Sequence, residues 1–257
     1  MQIGETFRLR VARENPALKT GRSYQEFTIP YEAGMTVLNA LLYAKEHLDH
    51  SIAIRYSCRM ASCGSCGMVI NGVPRLACYT QVTELPNSPI TVGPLDHYPL
   101  VRDLVTNFSN FFDKHRSVAP YVLRNDSSEK TTPTSEFEQS PEELNSFIQF
   151  SYCIKCGLCN AACPTMSNDA AFIGPQALGQ AYRYIADSRD EGAIQRLASV
   201  DREHGIWRCH FAGSCSFVCP KGVDPALAIQ RLRRLTLSKS AIAQRTGARL
   251  MPRLATK

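Results

Sequence analysis

The pattern of apolar and polar positions changes character partway along the chain. Near the start, Phe7-Arg8-Leu9-Arg10-Val11 alternates apolar with polar, the period-two signature of a strand with one buried face. Tyr24-Gln25-Glu26-Phe27-Thr28-Ile29-Pro30 predicts a second strand, ended by a proline that cannot donate to a ladder. Thr36 is placed to cap a helix through Val37–Ala44. Gly67-Met68-Val69-Ile70 predicts another strand, running into Asn71-Gly72, a dipeptide that favours a tight hairpin turn. Residues 125–141 are rich in Ser, Thr, Glu and Pro and poor in apolar groups, which predicts an irregular segment. It ends in Ser140-Pro141-Glu142-Glu143, where serine can cap, proline fits the first helical position and Glu143 completes a capping box. Beyond it the chain reads as helical, and Asp224-Pro225 repeats the cap-then-proline signal before Ala226-Leu227-Ala228-Ile229. The expectation is an α+β chain, with a small domain of strands and one helix over residues 1–105 and a helical domain over 106–257.

Composition narrows the class. With 257 residues, 44% apolar and 20% charged, the chain can bury a core of ordinary size. No apolar run reaches the roughly 18 residues of a spanning helix, so none is expected. The polar start Met1-Gln2-Ile3-Gly4-Glu5 has no apolar stretch of the kind a secretory signal needs. The net charge of +6 is carried by the end of the chain: Arg231, Arg233, Arg234, Lys239, Arg245, Arg249, Arg253 and Lys257 occur there without an acid, and the remainder is slightly acidic. No interleaving of basic and aromatic residues accompanies that tail, so a nucleic-acid partner is not expected.

Eleven cysteines change the picture. An odd number without a secretory signal argues against a disulfide framework. Scattered structural thiols would be irregularly spaced, whereas all eleven fall in three tight groups. The first is Cys58-Arg59-Met60-Ala61-Ser62-Cys63-Gly64-Ser65-Cys66, followed by Cys78. Its C-x4-C-x2-C spacing is that of a plant-type [2Fe–2S] ferredoxin. Three thiolates on one short loop must wrap an anionic cluster while backbone N–H groups face it. Gly64 and Gly67 are expected to allow that close approach and positive φ, with Cys78 closing the site from a neighbouring strand. Four thiolates could instead hold zinc, but zinc knuckles favour paired C-x2-C units and only Cys63 and Cys66 form one.

The second group, Cys153-Ile154-Lys155-Cys156-Gly157-Leu158-Cys159-Asn160-Ala161-Ala162-Cys163-Pro164, is the bacterial ferredoxin run C-x2-C-x2-C-x3-C-P, whose fourth cysteine ligates the other cluster. A second run should therefore exist, and Cys209-His210-Phe211-Ala212-Gly213-Ser214-Cys215-Ser216-Phe217-Val218-Cys219-Pro220 supplies it, with Ala212 in the register of the missing middle cysteine. Cys153, Cys156, Cys159 and Cys219 provide four ligands, enough for [4Fe–4S]. Cys163, Cys209 and Cys215 provide three. A cubane corner facing Ala212 has no protein ligand and easily loses its iron, which predicts [3Fe–4S]. The alternative is a [4Fe–4S] cluster with water or substrate on the bare iron.

These three groups together resemble the iron–sulfur subunits of succinate:quinone oxidoreductases and fumarate reductases. Asn71-Gly72-Val73-Pro74-Arg75-Leu76-Ala77-Cys78 and Cys219-Pro220-Lys221-Gly222 add to the resemblance, which spans nearly the whole chain. It implies an N-terminal plant-type ferredoxin (β-grasp) fold followed by a helical bacterial-ferredoxin fold. It implies an electron path from the FAD of a flavoprotein partner, through the [2Fe–2S], [4Fe–4S] and [3Fe–4S] clusters, to a quinone. It further implies membrane anchor subunits, with or without haem, and a peripheral place on the cytoplasmic or matrix face of the membrane. Relatives place quinone-site groups at positions matched here by Pro164, Thr165, His210 and Arg233. Many relatives carry a tryptophan pair after this proline. Here Met166-Ser167-Asn168 follows Thr165, and the single tryptophan is Trp207.

Overall fold

The computed structural model describes residues 3–19, 21–86, 89–125 and 137–238. Most of the irregular segment expected at 125–141, and the basic tail from Lys239 onward, lie outside these residues. The chain divides into two compact units that are discontinuous in sequence. The first comprises Met1–Phe112, Cys153–Ala170 and Ala212–Val223, and the second Asp113–Tyr152, Ala171–Phe211 and Asp224–Lys257. The expected division was a single cut after residue 105. The compact units instead group two cysteine-bearing loops of the later sequence with the strands of the earlier.

The first unit is built on a five-stranded mixed sheet of order β2-β1-β5-β3-β4. Strand β1 (Thr6–Arg13) buries Phe7, Leu9 and Val11, as its alternation requires. It pairs antiparallel with β2 (Ser23–Pro30) from Thr6 opposite Pro30 to Arg13 opposite Ser23, and parallel with β5 (Ile90–Gly93). Strands β3 (Gly67–Ile70) and β4 (Val73–Leu76) form the expected hairpin. Asn71 and Gly72 turn it with φ of 46° and 79°, the left-handed pair of a tight turn. The Asn71 side chain accepts from Thr91 N at 2.8 Å, tying the turn to β5.

Helix α1 (Val37–Tyr43) begins where the sequence indicated. The Thr36 hydroxyl accepts from Asn39 N at 3.2 Å, and Thr36 N donates back to Asn39 Oδ1 at 3.0 Å. Its buried Val37, Leu38, Ala40 and Leu41 share one core with Leu9, Ile29, Ile70 and Val92 of the sheet. The helix was expected to run on regularly through Ala44, but from Ala44 to Leu48 it widens into a π turn, closed by Asp49 N on Ala44 O at 2.8 Å. Arg13 holds Asp49 there at 2.7 Å. A small hairpin, β6 (Leu100–Arg102) with β7 (Val105–Thr106), ends in helix α2 (Ser109–Arg116). The hairpin turn supplies Asp103, which is buried and accepts from Glu14 N at 3.1 Å and Ala53 N at 2.9 Å while pairing with Arg13 Nε at 3.3 Å. That carboxylate fixes the start of the loop that leads to the first cysteines.

The second unit is helical. Helix α3 (Pro141–Ser151) opens with the capping box read from the sequence: Ser140 Oγ accepts from Glu143 N at 3.2 Å and Glu143 Oε2 accepts from Ser140 N at 2.8 Å. Three short cysteine-linked helices, α4 (Leu158–Ala161), α5 (Pro164–Asn168) and, later, α8 (Ser214–Phe217), belong to the first unit. Helix α6 (Pro175–Ala186) is the central element of the second, with α3, α7 (Ala193–Val200) and α9 (Pro225–Leu237) packed on it. Phe150 of α3 meets Tyr182 of α6 edge-on at 5.1 Å. Asp224 caps α9 by accepting from Leu227 N at 2.9 Å, as its sequence predicted. The first cation of the basic run, Arg231, turns inward and donates to Ser146 O at 3.1 Å and Tyr182 Oη at 3.2 Å. It is therefore part of the helix packing rather than of a free basic surface.

Candidate metal centres

The loop from Cys58 to Cys66 folds back on itself through three left-handed residues, Arg59, Ala61 and Gly64, with φ of 60°, 55° and 74°. For a residue with a side chain that conformation costs about 1–2 kcal/mol. Its effect is to aim backbone donors at sulfur. Met60 N, Ser62 N and Cys63 N lie 3.4, 3.3 and 3.2 Å from Cys58 Sγ. Ala61 N lies 3.3 Å from Cys78 Sγ, Ser65 N 3.5 Å from Cys63 Sγ, and Cys78 N 3.4 Å from Cys66 Sγ. All four sulfurs thus accept N–H bonds, which favour the thiolate over the thiol. The thiols are otherwise unequal. Ser65 chiefly, with other donors of the loop, draws exposed Cys63 down to about 6, while burial pushes Cys66 up to about 12. A bound metal deprotonates a coordinating thiol outright, so this donor set suits an iron-bearing group that needs four thiolates on N–H-lined backbone.

Two details differ from the sequence reading. Gly64 has positive φ, but Gly67 does not; it opens β3, where a side chain would meet Cys156 O at 3.2 Å. Cys78 lies two residues beyond the end of β4, in the turn that follows rather than in a strand.

The second group sits on two short turns of the same unit. Lys155 and Gly157 are left-handed, with φ of 56° and 80°, and flank Cys156. Burial pushes the Cys156 thiol up to about 12, and the neighbouring Cys153 and Cys219 add to the shift. Cys159 is likewise raised well above its ordinary value, by burial first and then by the charges of Cys156, Cys153, Cys215 and Cys219. Cys159 thus interacts with Cys215 as well as with Cys153, Cys156 and Cys219, and these thiols can ionise together only around a compensating cation. A [4Fe–4S] cluster supplies one, and the residues fit it. No sequence pattern pointed to Tyr98, which reaches this loop from 59 positions away in the chain. Its hydroxyl donates to Gly157 O at 2.9 Å and its ring stacks on Phe108 at 4.5 Å. Burial, and then the Cys159 and Cys156 thiols, raise the Tyr98 phenol well above its ordinary value, so it stays a donor. A side chain at Gly157 would meet Tyr98 Oη at 2.6 Å, which is why the motif needs glycine there.

The third group repeats the backbone of the second. Phe211 and Gly213, with φ of 58° and 76°, flank Ala212 as Lys155 and Gly157 flank Cys156. Gly213 and Gly157 each precede a four-residue helix, α8 and α4. Cys163 and Cys215 are buried in the first unit; Cys209 belongs to the second, where its Sγ accepts from Phe211 N at 3.3 Å.

Of the residues matched to a quinone site, Pro164 opens α5 and borders a cavity of about 520 Å³ together with His97, Cys163, Ser167 and Ser214. Thr165 is buried, and His210 is exposed. Arg233 is committed to backbone: its guanidinium donates to Ile206 O at 2.8 Å and Cys209 O at 2.6 Å and lies over the Trp207 ring at 5.7 Å.

Two family models match the chain, a 2Fe-2S iron-sulfur cluster binding domain over residues 8–113 and a 4Fe-4S dicluster domain over 149–223. The fumarate reductase iron-sulfur subunit of Mycobacterium tuberculosis is 43% identical over 234 residues, covering 91% of this chain and 94% of that protein. The fumarate reductase iron-sulfur subunit of Escherichia coli is 41% identical, covering 88% and 91%. The succinate dehydrogenase iron-sulfur subunit of Paracoccus denitrificans is 37% identical, covering 88% and 84%. A chain of the Mycobacterium smegmatis Sdh1 complex in the apo form shares the fold, with a TM-score of 0.82 at 24% identity over 93% of this chain and 98% of that one. At this identity and coverage, the chain belongs to the family of iron–sulfur subunits of succinate dehydrogenases and fumarate reductases.

Proposed function

We propose that this chain is the electron-relay subunit of a membrane-associated succinate:quinone oxidoreductase, joining the FAD of a flavoprotein partner to a quinone. The observation that supports it most is the cysteine set, complete in three spaced groups, the first on a loop whose N–H donors point at all four of its sulfurs. In this reading Cys58, Cys63, Cys66 and Cys78 hold a [2Fe–2S] cluster. Cys153, Cys156, Cys159 and Cys219 hold a [4Fe–4S] cluster, and Cys163, Cys209 and Cys215 a [3Fe–4S] cluster. Bound there, the clusters supply one-electron chemistry at potentials set by hydrogen bonds to sulfur, burial and charge.

The protein's own part is positional. Asp103 pins the first loop to β1, and Tyr98 holds the carbonyl of Gly157 beside the second group of thiols. Arg233 holds the segment Ile206–Cys209 by its carbonyls. In this role it orients Cys209 rather than reaching for a quinone, and the exposed His210 beside it is the residue free to meet one. Pro164 and Thr165 shape the turn after Cys163. No helix among the described residues is long and apolar enough to cross a membrane. Anchor subunits, with or without haem, would then provide the attachment on the cytoplasmic or matrix face. A second reading, fumarate reduction by the same relay, is supported by the fumarate reductase subunits among the relatives, 43% and 41% identical to this chain.

Cys66→Ala tests the ligand assignment. The reduced [2Fe–2S] electron paramagnetic resonance signal should vanish or be badly perturbed while the other two clusters remain. An unchanged spectrum would show that another group holds that iron.

A further inference from the structure

We propose that Gly64 is a positioning residue for electron passage between the first and second cysteine groups, fixing how closely the Cys63–Ser65 backbone lies on Cys156. The inference rests on the cluster assignment above and adds a spacing element to it. Gly64 is left-handed, and a side-chain carbon built on it would stand 2.8 Å from Cys156 Cβ, 2.9 Å from Cys156 Cα and 3.2 Å from Ile154 O. Ordinary van der Waals contact begins near 3.4 Å, and the obstructing atoms are backbone or bonded directly to it, so they cannot swing aside. Gly67 repeats the arrangement on the other side of Cys66. A side-chain carbon there would stand 3.2 Å from Cys156 O and 3.2 Å from Leu158 Cδ2. The two glycines that bracket Cys66 thus both press against Cys156. Two loops assigned to different clusters touch backbone to backbone, within one compact unit. Burial is high at this junction, with Cys66 and Leu158 almost wholly enclosed, so no water layer separates the loops.

Close backbone approach matters because electron tunnelling falls exponentially with the distance between centres, and the magnetic coupling of two unpaired spins falls with its cube. A methyl group at position 64 forces the loops apart and weakens both. A packing role alone would alter stability and leave spin coupling in the folded, iron-loaded protein unchanged.

Gly34 provides the control. It has the same φ of +74° as Gly64, but a side-chain carbon there meets nothing within 4 Å. Gly34→Ala therefore carries the backbone strain of Gly64→Ala without its collision. The experiment uses the iron-loaded complex of each variant, matched for iron content. It reads the broadening of the signals of the two reduced clusters by each other, and the rate of electron passage between them after flash reduction. Gly64→Ala should weaken the broadening and slow the passage several-fold, Gly67→Ala should do so less, and Gly34→Ala should match the unaltered protein. Unchanged coupling and rate in Gly64→Ala, or an equal loss in Gly34→Ala, would overturn the inference. If Gly64→Ala does not retain iron, Gly67→Ala decides, since its φ is ordinary: unchanged coupling there overturns the inference. An unaltered protein lacking two distinct cluster signals would instead refute the cluster assignment, and the inference would fall with it.

Discussion

Replacing Asp190 by alanine should destabilise the helical unit by about 3–5 kcal/mol, the cost of leaving a buried charge without its partner. The partner is Arg196, and both side chains are fully enclosed. Asp190 also accepts from Gly192 N at 2.7 Å and Leu123 N at 2.8 Å, and Arg196 donates through Nε to Ala119 O at 3.0 Å. The pair therefore joins the segment after α2, the turn before α7 and α7 itself. Alanine at 190 strands the guanidinium and leaves two backbone donors unsatisfied, and each such donor adds about 1–3 kcal/mol where water cannot replace the acceptor. A domain whose whole stability is about 5–15 kcal/mol cannot absorb this easily. Chemical denaturation of the iron-loaded protein, followed by far-ultraviolet circular dichroism, should show the loss. A midpoint within experimental error of the unaltered protein would mean that the pair is solvated. Changing both residues to apolar ones of similar volume removes the unpaired charge but still leaves Gly192 N and Leu123 N without an acceptor, so it should recover only the charge part of the loss.

Changing Ala212 to cysteine should convert the third centre. Ala212 lies between two left-handed residues in the backbone pattern that surrounds Cys156, so a thiol there is presented as Cys156 presents its own. The oxidised [3Fe–4S] signal should fall away and a second [4Fe–4S] cluster should appear. The added thiolate is anionic and stabilises the oxidised form of the cluster, so its reduction potential should drop and quinone reduction should slow. Electron paramagnetic resonance of the oxidised, iron-replete variant checks this. Persistence of the full [3Fe–4S] signal would show that position 212 does not face the open corner.

What could be read from the sequence follows the range of the interactions involved. The β1 alternation, the Asn71-Gly72 turn, the Thr36 and Ser140 caps and the cysteine spacings are local, and each settles within a few residues of itself. The features missed are long-range. Tyr98 reaches Gly157 across 59 positions, Asp103 ties Glu14 to Ala53, and the Gly64–Cys156 contact joins loops far apart in the chain. None of these leaves a periodic trace. The match of Arg233 to a family position located the residue, but its charge alone could not reveal that the carbonyls of Ile206 and Cys209 would take up its donors. The widening of α1 into a π turn was invisible for the same reason, because Asp49 is held by Arg13 from 36 positions away.

Metal and sulfide analysis of the purified complex, combined with electron paramagnetic resonance in the oxidised and reduced states, tests the central claim most directly. The ligand sets predict about nine iron atoms per chain, no stoichiometric zinc, and three distinct clusters, [2Fe–2S], [4Fe–4S] and [3Fe–4S], the last seen in the oxidised protein. Stoichiometric zinc, or a single type of cluster, would contradict it.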